Sequence, residues 1–159
     1  MAMELWTGRV EPDWIDYNGH MNVAYYHMAF DQATDRFLVN IGLGEDYVAC
    51  ESGSMFALED RLTYQGELEE GDPIRIDLQL LDFDEKRMHY FQRMYHVEKD
   101  YLAARCEHLS IFIDMRIRRS TRMPPAVRQA LVNVFEEHRH WDRPEEVGRL
   151  MGIRRRSET

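Results

Sequence analysis

The stretch that decides the fold reads Asp16-Tyr17-Asn18-Gly19-His20-Met21-Asn22 and runs directly into Val23-Ala24-Tyr25-Tyr26. Asp16, Asn18, Gly19 and Asn22 are turn formers, so residues 13–22 read as a loop. From Val23 the period changes: Val23, Tyr26, Phe30, Ala33, Phe37 and Ile41 recur every three or four residues and draw one apolar stripe. Asn22 stands where an N-cap is wanted and Gly42 where a left-handed residue ends a helix. The spacing predicts a helix of about five turns.

Outward from that helix the pattern is extended. Residues 4–10 form a short strand candidate ahead of Pro12, and residues 43–53 read as a linker. Residues 54–64, 74–80, 87–97 and 102–117 read as strands joined by short polar turns such as Asp82-Phe83-Asp84-Glu85-Lys86. At Pro124-Pro125 the alternation stops; Val127, Leu131, Val134 and Phe135 predict a helix to about His138, and 145–151 a second short one. Residues 154–159 read as a frayed tail. The expected fold class is α+β: a five-stranded antiparallel sheet wrapped around one long helix, with a domain over residues 1–123 and a helical extension over 124–159.

Composition narrows the function. In 159 residues, 20 Lys and Arg stand against 29 Asp and Glu, a net charge of −9, which repels phosphate backbones and argues against nucleic acid as a partner. Two cysteines, Cys50 and Cys106, make no disulfide framework and carry no metal-ligand spacing. No apolar run approaches the roughly 18 residues of a membrane span. A cytoplasmic protein with no membrane contact and no metal is expected.

The chemistry lies where the quoted loop meets the helix. The first amides of a helix lack intrahelical acceptors and carry partial positive charge, which suits a carbonyl oxygen becoming an oxyanion. A carboxylate beside them, Asp16, can attack an acyl carbon or deprotonate water, and Gly19 lets the chain turn tightly enough to aim it. On residue types alone, an Asp at position 16 is more often a turn or capping residue than a catalyst, His20 more often a structural histidine, and Asn22 a plain cap.

The segment 16–22 with its aromatic-rich helix resembles the Asp-x-x-Gly-His entry of hotdog-fold acyl-CoA thioesterases of the 4-hydroxybenzoyl-CoA thioesterase type. Within them it is most similar to the thioesterases of carnitine and betaine breakdown, which act on betainyl-CoA. The likeness runs over about residues 4–125 and is carried by Glu11-Pro12-Asp13-Trp14-Ile15, Ala24-Tyr25-Tyr26, Ala33-Thr34-Asp35, Ile41-Gly42-Leu43, Leu58-Glu59, Glu107-His108-Leu109, Asp114 and Pro124-Pro125. Two positions depart from it: Asn22-Val23 stand where betaine-type members carry a charged pair, and Glu107-His108 replace a Glu-Gln pair.

The resemblance implies a hotdog fold and hydrolysis of an acyl-CoA to free acid and coenzyme A. It puts the catalytic carboxylate, nucleophile or general base, on Asp16, with His20 beside it, and the oxyanion donor on the backbone N–H of Val23. It implies a homodimer or homotetramer with the site between subunits, and no cofactor beyond the coenzyme A of the substrate. Substrate-binding candidates are Asn22, Tyr25, Tyr26 and Glu59, the last expected to face the helix and balance a cationic acyl group. Arg118, Arg119, Ser120 and Arg122 are candidates for the coenzyme A phosphates. His27 and Asp31 are expected to pair along the helix surface. Two rivals remain at this point: a hydratase of the same fold, whose Asp-x-Asn-Pro-x-His signature this sequence lacks, and a non-catalytic acyl-CoA-binding module.

Overall fold

The computed structural model describes residues 3–153; the tail 154–159 lies outside them. Strand β1 (Met3–Arg9) leads through a 3₁₀ turn at Pro12–Trp14 into α1 (Val23–Asn40), followed by α2 (Glu45–Glu51). Four long strands come next: β2 (Gly53–Tyr64), β3 (Pro73–Phe83), β4 (Arg87–His96) and β5 (Tyr101–Asp114). A two-residue strand β6 (Arg119–Ser120) and helix α3 (Pro125–His138) complete the order. The sheet is antiparallel in the order β1-β3-β4-β5-β2, with β6 on β5. This is the hotdog arrangement that the resemblance implies, with a sixth short strand added.

Helix α1 forms where the stripe predicts it. The Asn22 side chain accepts from the Ala24 N–H at 2.9 Å, and Gly42 follows the helix at φ +84°, a backbone region open to glycine without penalty. Its buried face is Tyr26, Ala29, Phe30, Ala33, Phe37 and Leu38. The two alanines let the sheet approach, and the two phenylalanines fill the space on either side. Full burial of each ring contributes about 1.5–3 kcal/mol. Tyr26, Ala29, Phe30 and Ala33 share one core cluster with Ile74, Ile76 and Met94, while Phe37 and Leu38 share another with Leu78, Leu80, Tyr90 and Leu131.

The extension first completes this core and then crosses to the other sheet face: Val127 and Leu131 of α3 lie in the same cluster as Phe37 and Leu38. Helix α3 packs on β3, and its last residue, His138, is buried, stacked on Trp141 at 3.9 Å, with Nδ1 accepting the Leu80 N–H at 2.9 Å. That N–H is released by a bulge between Leu80 and Asp82. Beyond α3 the chain crosses the sheet: Gln79 donates to the Asp142 carbonyl, Arg105 pairs with Glu146, and the Gly148 N–H donates to the Glu107 carboxylate at 3.0 and 3.1 Å.

Four expectations are corrected. Residues 45–51, expected within a linker, form α2. Residues 145–148 form turns, not a helix, since Gly148 sits at φ +74°, outside the right-handed helical region. Strand β5 ends at Asp114; residues 115–118 turn back, with Arg118 in the left-handed region at φ 54°. His27 pairs with Asp60 on β2 at 2.9 Å rather than with Asp31.

Candidate active site

The loop before α1 is a closed hydrogen-bonded unit. The Asp16 N–H donates to the His20 carbonyl at 3.1 Å and the Gly19 N–H to the Asp16 carbonyl at 2.9 Å. Ile15 and Met21 bridge, and the Met21 N–H donates to the Leu68 carbonyl at 2.7 Å, fixing the loop to the segment ahead of β3. Gly19 closes the turn at φ +83°, which a β-carbon would strain.

The Asp16 side chain lies half-buried inside this unit. Its Oδ1 accepts the Asn18 N–H at 2.8 Å and its Oδ2 accepts from Asn22 Nδ2 at 3.2 Å. Asn22 therefore joins the carboxylate to the first turn of α1: one end holds Asp16, the other caps Ala24. Next in the chain is Val23, the first helical residue, exposed, whose N–H donates to no acceptor among the described residues. An acceptor-only carboxylate and an unspent helix-terminal donor thus flank one amide side chain, an arrangement suited to an acyl carbon whose oxygen gains charge.

The other candidates fall in different places. His20 is half-buried, its Nδ1 at 3.3 Å from the Met21 carbonyl. Tyr25 stacks on Trp14 at 5.5 Å and 11°, both half-buried beside the helix start. Tyr26 is turned into the core, its hydroxyl donating to the Gly66 carbonyl at 3.3 Å; burial pushes its phenol up to about 12. Arg118 lies over the Phe56 ring at 5.8 Å, and Arg119 and Ser120 are exposed in β6. Arg122 is paired with Glu85 at 2.9 Å.

Glu59 does not face the helix, which corrects the expectation. A bulge sits in β2 between Ala57 and Glu59, with Leu58 as the extra residue. Met55 and Ala57 lie opposite Phe112 and Ser110, whereas beyond the bulge Asp60 and Leu62 lie opposite His108 and Cys106, all four of these β5 side chains being buried. The inward-facing set therefore changes from odd to even numbers at Leu58. Glu59 is exposed and lines a cavity of about 290 Å³ with Arg61, His89, Glu107 and residues 148–150. There Arg61 holds Glu107 at 2.6 Å and His89 holds its other oxygen at 2.9 Å; burial would raise Glu107, but these hydrogen bonds prevail and hold it below its ordinary value.

The carboxylate that does face α1 is Asp60, not singled out in the sequence. Its Oδ2 lies 2.9 Å from His27 Nε2 and its Oδ1 2.6 Å from His108 Nδ1. Burial pushes Asp60 up, yet the two imidazoles outweigh it and hold it below the usual carboxylate range. His108 is buried and stacked on Tyr90 at 4.6 Å and 10°. Cys106 Sγ comes within 3.7 Å of His108 Nδ1, and Asp60, Cys106 and His108 place their donor atoms within 4.8 Å of one another. Burial pushes the Cys106 thiol far up, and a thiol ligates metal as the thiolate, so this group reads as a hydrogen-bonded cluster. Only its dependence on the bulge hid it: no signal in the sequence marks the change of face.

Comparison with known proteins adds the following. Residues 10–131 match the sequence profile of the thioesterase-like superfamily. The chain is 33% identical over 144 residues to the betainyl-CoA thioesterase of Pseudomonas aeruginosa, covering 91% of each. It is 32% identical over 148 residues to the L-carnitine dehydrogenase/betainyl-CoA thioesterase of Rhizobium meliloti, covering 92% of this chain and 29% of that longer protein. Among solved structures, a Staphylococcus aureus protein in complex with CoA superposes with a TM-score of 0.89 at 28% identity, over 97% of this chain and 98% of that one. The 1,4-dihydroxy-2-naphthoyl-CoA thioesterase of Synechocystis shares the fold at a TM-score of 0.72 and 14% identity, over 81% and 95% of the two chains. No helix among the described residues is long and apolar enough to cross a membrane.

Proposed function

The chain belongs to the thioesterase-like superfamily, and from that membership we propose that it hydrolyses an acyl-CoA thioester to the free acid and coenzyme A. The observation that carries this reading is the Asn22 bridge, which ties the Asp16 carboxylate to the helix end where the Val23 N–H is unspent. The thioester oxygen docks on that N–H, and Asp16 attacks the carbonyl carbon or activates water. His20 shapes the turn behind Asp16 through its backbone carbonyl. No separate cofactor is needed, since coenzyme A arrives as part of the substrate.

The acyl group is short or polar, and betainyl-CoA is the first ester to try, because it is named in the relatives. The stacked Trp14–Tyr25 pair beside the helix start is suited to a quaternary ammonium by cation–π attraction. Arg118 and Arg119, for which no carboxylate partner occurs among the described residues, and the Ser120 hydroxyl would meet the coenzyme A phosphates; Arg122 is held by Glu85. A homodimer forms through β2, whose outer edge carries the exposed Phe56, Leu58 and Tyr64, or a homotetramer built from such pairs.

The test is thiol release from a panel of betainyl-, aromatic and medium-chain acyl-CoAs. Turnover that falls more than a hundredfold in Asp16→Asn, with an unchanged melting temperature, supports the reading. Full activity in that variant, binding without thiol release, or consumption of an enoyl-CoA without thiol release each overturns it.

A further inference from the structure

We propose that His27, oriented by Asp60, is a second catalytic group of this site and takes the proton of the attacking water, while Asp16 serves as the nucleophile. The inference rests on the hydrolytic reading above and divides its labour between two residues.

His27 lies four residues after Val23 on α1, so both stand on one face, with roughly 5–6 Å between their β-carbons. Helical side chains lean toward the N-terminus, and a residue covers the turn before its own Cα. That lean directs the His27 side chain toward the turn that begins with the unspent Val23 N–H. Its side chain is 52% exposed, open to a water and a substrate.

What makes it more than a surface histidine is the group behind it. Asp60 accepts only, so the 2.9 Å contact at Nε2 requires an N–H there. In the neutral ring the lone pair then sits on Nδ1, which makes no hydrogen bond among the described residues. The tautomer is thereby set for proton abstraction, the part a buried carboxylate plays behind a catalytic histidine. Asp60 is itself immobilised: His108 holds its second oxygen at 2.6 Å and is clamped between the Tyr90 face and the Phe30 edge. A histidine at 27 that served the surface alone would need no such backing.

The steps balance. An Asp16 oxygen bonds to the acyl carbon, the C–S bond breaks, and its electron pair leaves on the coenzyme A sulfur. Water then bonds to the acyl carbon of the Asp16 anhydride and gives one proton to His27 Nδ1. The bond to Asp16 breaks, returning its electron pair to the carboxylate and releasing the free acid. His27 passes its proton to the thiolate.

Rapid-quench kinetics on the full chain separates the two halves. With the best ester of the panel, His27→Gln releases one equivalent of coenzyme A per site at near the unaltered rate and then turns over about a hundredfold more slowly, with KM within twofold. Added imidazole restores turnover in His27→Ala, which a structural role would not allow. Asp60→Asn, removing a positioning residue, lowers kcat about tenfold at unchanged KM. Asp16→Asn shows neither burst nor turnover. Steady turnover of His27→Gln within threefold of the unaltered protein overturns the inference, as does loss of the burst in a folded His27→Gln. An active Asp16→Asn overturns the hydrolytic reading instead, so the two failures are told apart.

Discussion

The Asn22 side chain spans Asp16 and α1: its Nδ2 lies 3.2 Å from Oδ2 of Asp16, while its Oδ1 accepts the Ala24 N–H at 2.9 Å. A residue that looks like an ordinary cap is thus also the strut that sets the carboxylate against the helix end.

Its two duties can be separated. Asn22→Ala loses both and is expected to lower unfolding free energy by about 1 kcal/mol and turnover at least tenfold. Asn22→Ser keeps a capping oxygen and loses the donor to Asp16. Denaturant unfolding should then find stability within a few tenths of a kcal/mol of the unaltered protein, and thiol release should still drop.

The β3–β4 turn carries an acid-sensitive contact. Arg87 grips Asp84 at 2.6 and 2.8 Å, and the Lys86 and Arg87 N–H groups add to it, holding its carboxyl down to about 2. A lowered folded value means the unfolded chain binds the extra proton. The stabilisation is therefore present above the ordinary value of 3.8 and is lost as pH falls toward about 2. Both side chains are largely solvated, so solvent screening keeps the effect small. Asp84→Asn should flatten the stability profile in that window, measured by thermal melts against pH.

Glu107 fastens the extension to the sheet. It accepts from Arg61, His89 and the Gly148 N–H together. Glu107→Ala leaves the half-buried Arg61 guanidinium with the Glu146 carbonyl but no carboxylate, and is expected to cost about 2–3 kcal/mol. Hydrogen exchange should report faster opening of residues 141–149, with α1 amides protected as before.

The exposed edge of β2 predicts the assembly. Leu58 is 54% exposed at the bulge. If this edge pairs with a second copy, Leu58→Lys should shift the sedimentation coefficient from dimer toward monomer at micromolar concentration. A wild-type chain that sediments as a monomer would refute the pairing.

Helix α1, its Asn22 cap and the order of strands were legible because each shows a strong period over many residues. Helix α2 was not: at seven residues, with none fully buried, it shows too little periodicity to tell from a linker. The alternation through Ile111, Ile113 and Ile117 carried the reading of β5 past Asp114, where the backbone of residues 115–118 reverses. Asp16 stood out for its loop chemistry, but Asp60 could not. Which of two adjacent carboxylates points inward depends on one unpaired residue, Leu58, and a bulge has no signature in hydrophobic alternation. His27 was misassigned for a related reason: helical spacing names its neighbour at Asp31, whereas the sheet supplies a nearer one.

Of the two cysteines, Cys50 is exposed and Cys106 is sealed against His108, its thiol far above neutrality. A colorimetric thiol reagent added to the native chain should accordingly read one equivalent promptly and the second only on unfolding. Each assay of substrate cleavage thus carries a built-in blank of known stoichiometry, and a variant in which the second equivalent appears early has loosened the packing around Asp60 rather than lost a step of the chemistry.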